Sequence, residues 1–221
     1  MRYPPLMIAM FLWMIVRAFY GHLGSSHLPT SVFMLLLFLT LIYAFRHSRH
    51  LAVFLAIMAV AAASLRVVAD LWQLPEVDLL SLGPSLIALV VVIVAILWEV
   101  LRTRSASSDL VVGAVCLYLL MGAAWGFFYY AIYLLSPESF FVSPELAPLT
   151  TSLRESRIGE MFFFSLSALT TIGFSGGEAV TSLPRQLAIV ESVMGQLFLA
   201  VLISRLVGFS TADAKPVQEG P

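Results

Sequence analysis

The sequence predicts an all-α integral membrane protein of six transmembrane helices, with a re-entrant segment ahead of the last. Three observations carry this expectation. Of 221 residues, 60% are hydrophobic and 11% charged, with mean hydropathy +0.97, against about 25% charged in an ordinary soluble domain. Charges and turn residues divide the chain into six apolar blocks on the scale of the roughly 20 residues that a spanning helix needs. A further block, Ile158 to Thr171, is too short to cross as a helix but has the length of a re-entrant segment.

The blocks follow in order. Leu6 to Tyr20 is interrupted by Arg17, so it reads either as a span or as an interfacial helix. Bulky Phe19 and Tyr20 stand where a cleavage site has small residues, so the segment is expected to remain uncleaved. Leu28 to Phe45, Leu51 to Trp72, Ser81 to Leu101, Asp109 to Leu135 and Gln186 to Gly208 supply the other five spans. In the fifth, Gly122 and Gly126 have the spacing that lets two helices approach closely. Short backbone segments at membrane depth are tolerated only inside protein or along a water-filled path, which makes the Ile158 block point to a pore. Arg46, Arg49, Arg102 and Arg104 lie in the second and fourth connections, whereas Gly21 to His27 and Gln73 to Leu80 hold no Arg or Lys. The positive-inside rule then places both termini in the cytoplasm and the loop from Ser136 to Arg185 outside. Trp72, Tyr129, Tyr130 and Tyr133 fall near outer ends, and Tyr43 and Trp98 near inner ends, as interfacial aromatic belts do. The predicted organisation is a leading four-helix region at 1–108, a pore region at 109–209 and a short, disordered cytoplasmic tail at 210–221. Within the pore region the outer helix is placed at 109–135, a short helix at 158–170, a polar turn at 171–175 and the inner helix at 186–208.

Composition excludes several classes. A net charge of −1, with Lys215 the only lysine, gives no surface for nucleic acid. Cys116 is the only cysteine, which excludes an intrachain disulfide and a cysteine metal cluster. No nucleophile–base set, zinc-binding helix or phosphate loop falls on one face, so no enzyme is expected. The fourth block has no Arg or Lys, and a voltage sensor needs several charges in the field. Arg17, Arg66 and Asp70 read as helix-end pairing or snorkelling, and the four histidines read as polar loop surface. The acids Glu138, Glu145, Glu155, Glu160 and Glu178 of the outer loop are either solvated or concentrate cations near a mouth.

The informative run is Phe162 to Gly177, F-F-F-S-L-S-A-L-T-T-I-G-F-S-G-G. A short apolar helix ending near Thr170 is followed at once by a turn in which Gly173 supplies unusual dihedrals. Four such turns on one axis would present backbone carbonyls to a dehydrated cation, with the Thr171 hydroxyl as a further ligand. The negative C-terminal ends of the helices favour a cation there. These residues resemble the pore module of tetrameric potassium channels, whose filter usually reads T-V-G-Y-G. The match is Thr171-Ile172-Gly173-Phe174-Ser175, preceded by Thr170, and it continues through Arg185 into the inner-helix pattern from Leu187 to Gly208.

The resemblance implies a homotetramer in a lipid bilayer, conducting potassium ions passively and using no cofactor. It makes Thr171, Ile172, Gly173, Phe174 and Ser175 the selectivity filter, with the carbonyls of Thr171 to Phe174 as metal ligands and Thr170 and Gly176 in support. Gly195 falls at the family's gating hinge. Short loops and an uncleaved first segment suit a bacterial inner membrane. Two departures from the pattern are Ser175 in place of the last filter glycine and Gly176 in place of an aspartate; Ser175 is less at ease than glycine at positive φ. Weak selectivity, sodium permeation or a non-conducting scaffold or partner subunit therefore stay open. Glu191 is an ionisable group within the inner helix, costly there unless paired or wet. It either bonds Ser165, Ser167 or Thr170 behind the filter or pairs with Arg185 across a subunit boundary.

Overall fold

The computed structural model describes residues 3–23, 28–72, 75–103, 107–142, 153–173 and 177–213. Among these, seven α-helices run in order: α1 (Pro4–Leu23), α2 (Leu28–Ala44), α3 (Arg49–Trp72), α4 (Pro75–Arg102), α5 (Ser108–Leu135), α6 (Leu153–Leu169) and α7 (Ser182–Asp213). A 3-10 turn, Pro137–Ser139, and two short strands, β1 (Phe140–Val142) and β2 (Gly177–Ala179), are the other elements among the described residues. The molecule is thus an all-α protein in which α3, α4, α5 and α7 contain apolar stretches of 21, 27, 28 and 27 residues, each long enough to cross a bilayer. The described apolar stretches of α1 and α2, Pro4–Val16 and Leu35–Ala44, are shorter.

Local chemistry explains the boundaries. At the start of α5 the Ser107 hydroxyl accepts from the Leu110 N–H at 3.2 Å, and Asp109 sits in the positive first turn. α4 begins at Pro75, inside the segment expected to be a connection. Proline is pre-organised for the first helical position, and Glu76 and Asp78 complement the first turn. α6 starts five residues before the apolar block, because Leu153 to Arg157 are good helix formers that hydropathy does not register. α7 likewise starts before Gln186, with Pro184 tolerated in its first turn, and runs on to Asp213. The disordered tail expected from residue 210 is corrected at this end: no proline interrupts the helix until Pro216, and residues 214–221 lie outside the described residues.

Helix α5 is the centre of the packing and touches α1, α4, α6 and α7. Its buried side includes Leu117, Leu120, Phe127, Tyr129 and Tyr130. Tyr129 and Tyr130 are 0% and 1% exposed, so the expectation of an interfacial belt at these two positions is overturned. The neighbouring helices surround α5 there, and each hydroxyl finds a buried carboxyl partner: Tyr130 donates to Asp78 at 3.0 Å and Tyr129 to Glu191 at 2.8 Å.

The connection from α4 to α5 spans only Thr103 to Ser107, so α4 packs beside α5 of its own chain. At the far end of α7, Arg205 donates to the carbonyls of Val100 at 2.7 Å and Thr103 at 2.9 Å, placing a cation at the negative C-terminus of α4. The antiparallel pairing of β1 with β2, Phe140 opposite Ala179, joins the chain leaving α5 to the chain entering α7 and closes off the segment that contains α6.

Candidate functional site

The site is built where α6 ends. Its last turn closes with Thr171 N–H donating to Ala168 O at 3.0 Å and Ile172 N–H donating to Ser167 O at 3.1 Å. This pair of bonds is a Schellman closure, which requires a left-handed residue just past the helix end, usually glycine. Here that residue is Thr171, at φ 58°, and Gly173 follows at φ 75°. A β-branched residue at positive φ is a true outlier, with a cost of about 1–3 kcal/mol that surrounding contacts must offset.

Those contacts come from both neighbouring helices. From α5, the Tyr118 hydroxyl donates to Leu169 O at 2.9 Å. From α7, Ser192 Oγ donates to Ala168 O at 2.7 Å, and Gln196 Nε2 donates to Thr171 Oγ1 at 3.3 Å. Tyr118 and Gly195 lie well inside α5 and α7, so α6 ends partway along the two long helices that flank it.

Glycines set how closely the three helices approach. A Cβ on Gly122 would stand 2.7 Å from Leu166 Cδ2, and one on Gly126 3.0 Å from Phe162 Cγ, so both face α6. A Cβ on Gly195 would stand 2.5 Å from Leu169 O, a backbone atom that no rotamer change can move. Through Gly195, α7 is one continuous helix.

Behind the turn, Glu191 is fully buried. Its Oε1 lies 2.5 Å from Ser165 Oγ and its Oε2 2.8 Å from the Tyr129 hydroxyl. The same Ser165 Oγ lies 2.8 Å from Gly122 O. Of the partners weighed for Glu191, Ser165 is the one it meets. Thr170 Oγ1 donates to Leu166 O at 2.6 Å instead, and Arg185 Nε donates to Ala179 O at 2.7 Å, at the entrance of α7.

The structure therefore brings Thr170, Thr171, Ile172, Gly173, Glu191 and Gly195 together around one helix end. Thr171, Ile172 and Gly173 are exposed on the single chain. Phe174, Ser175 and Gly176 lie outside the described residues, and with them the departures from the usual filter pattern. Four contributors went unread in the sequence: Tyr118, Tyr129, Ser192 and Gln196. For two of them a signal existed, since Glu191, Ser192, Gly195 and Gln196 fall on one face of the apolar middle of α7. No family model, curated protein or solved structure matches this chain.

Proposed function

We propose that this chain is one subunit of a homotetrameric channel that conducts potassium ions passively across a lipid bilayer. The observation that carries the reading is the end of α6: a short apolar helix stops partway along α5 and α7 in a strained turn, with Thr171 and Gly173 both at positive φ. In this reading α1 to α5 and α7 are the six spans and α6 is re-entrant, with both termini in the cytoplasm of a bacterial inner membrane. Four copies of the turn supply carbonyls of Thr171 to Phe174, together with the Thr171 hydroxyl, as ligands that replace the ion's water shell. The negative C-terminus of each α6 favours a cation ahead of it.

The long apolar face of α7, including Ile189, Val193, Leu197 and Val201, is exposed on the single chain. It supports the same reading, because an inner helix that lines a pore meets its neighbours only on assembly. Gly195 then has two duties, close packing on Leu169 O and any bending of α7 on opening. The leading helices brace the pore from outside and carry no arginine ladder for voltage sensing.

Reconstituted protein in liposomes tests the proposal. Flux under a potassium gradient that exceeds flux under an equal sodium gradient is the expected result. Equal fluxes identify a weakly selective pore, and no flux under either gradient identifies a non-conducting scaffold or partner subunit.

A further inference from the structure

The buried cluster of Glu191, Ser165, Tyr129 and Gly122 O contains three short oxygen–oxygen contacts, and hydrogens can be counted across them. Tyr129 contributes one hydrogen, donated to Glu191 Oε2 at 2.8 Å. Ser165 also has one, yet its Oγ faces two oxygens, Gly122 O at 2.8 Å and Glu191 Oε1 at 2.5 Å. Gly122 O can only accept. If the carboxyl is ionised, it too can only accept, and two hydrogens must serve three contacts. A carboxylic acid supplies the third: Glu191 Oε1–H donates to Ser165 Oγ, Ser165 donates to Gly122 O, and Tyr129 donates to Oε2.

Ser192 shows why the count is informative at Ser165. Its hydroxyl also lies near two oxygens, Ala168 O and Ala188 O, but neither can hold a hydrogen, so sharing is the only option. At Ser165 one neighbour can. The surroundings agree. Glu191 is 0% exposed, and among the described residues its oxygens meet two hydroxyls and no cation. A carboxylate in such a place exchanges its hydration for two hydroxyl contacts and no countercharge, which leaves the charged form costly. Of the two tyrosines of α5 near this cluster, Tyr129 meets Glu191 directly and Tyr118 is engaged elsewhere, donating to Leu169 O.

We infer that Glu191 is a neutral carboxylic acid whose hydrogen completes a relay from α7 through Ser165 of α6 to the backbone of α5. It is a positioning residue: it fixes the face of α6 that sets the Thr171 turn and brings no negative charge to the wall behind it. The functional meaning rests on the pore-loop reading above, but the state of the carboxyl does not depend on conduction.

Infrared spectroscopy of the purified full-length protein in lipid nanodiscs at neutral pH tests the inference. The difference spectrum of wild type minus Glu191→Gln should contain the carbonyl stretch of a protonated carboxylic acid, shifted on transfer to heavy water. The amide introduced by Glu191→Gln keeps a donor and an acceptor in place of the acid's, so thermal unfolding of this variant should stay near that of wild type. If Glu191→Gln does not fold, Tyr129→Phe serves: removing the hydroxyl on Oε2 should shift the same protonated band. Carboxylate bands alone in the first difference spectrum, or no shift of a protonated band in the second, would overturn the assignment.

Discussion

Thr171 and Gly195 are the residues at which side-chain size and backbone geometry decide most. Thr171 occupies a left-handed position that glycine fills without strain, so Thr171→Gly should raise stability by up to about 1 kcal/mol, the flexibility it adds to the unfolded chain offsetting part of the relief. In the proposed channel it also removes a ligand hydroxyl and the rigidity of the turn, so potassium preference in liposome flux should fall as denaturant stability rises. A variant that gains stability and keeps its preference would show the strain to be incidental. At Gly195 the direction is simpler. A methyl group there meets Leu169 O, and α7 must move away from α6, so Gly195→Ala should cost about 1–3 kcal/mol, the usual range for overpacking, read as a lower thermal midpoint. An unchanged midpoint would mean that the two helices separate freely, as the hinge reading of this glycine would favour.

Among elements, the pairing of α6 with α5 and the tie between α7 and α4 carry separate expectations. Gly122 and Gly126 let α5 lie against Leu166 and Phe162, and Gly122→Leu should push α6 outward and loosen the Tyr118–Leu169 bond. Faster hydrogen exchange across 166–173 than in wild type is the expected observation. Arg205 acts at the other end, where it satisfies Val100 O and Thr103 O. Arg205→Gln keeps a donor but removes the charge that complements the α4 terminus, so exchange should rise at 103–107 and stay unchanged around α6.

The helices were legible in the sequence because apolar length and helix-compatible residues speak locally, whereas the short pairing of β1 with β2 was not, since three-residue strands carry no period. The ends of α4, α6 and α7 were not, since Pro75, Leu153 to Arg157 and the run after Gly208 are polar or turn-like in hydropathy yet compatible with helical backbone. Partners were harder still. Tyr129 reads as a belt residue until α7 is seen to bring Glu191 opposite it, and no local pattern encodes that meeting. The Thr-Thr-Ile-Gly run was visible as unusual, whereas the left-handed state of Thr171 itself follows from the Schellman closure, which needs the helix end in place.

For the whole molecule, the contrast between a buried α5 and an exposed α7 sets the expectation for assembly. One chain provides one turn, and the proposed site needs four, so native mass spectrometry of the detergent-solubilised protein should give a tetramer. Potassium should raise its dissociation temperature more than sodium at equal ionic strength, because a ligand bound only by the assembled state stabilises it by mass action. A monomer that is indifferent to either ion would count against the channel reading.

The small clasp of β1 on β2 has a practical consequence. Because Phe140 already lies opposite Ala179, the two ends of the segment that carries α6 are held side by side. A distance label placed across the clasp accordingly reports whether the two ends of that segment stay together, without touching the helix end at Thr171 or its supports.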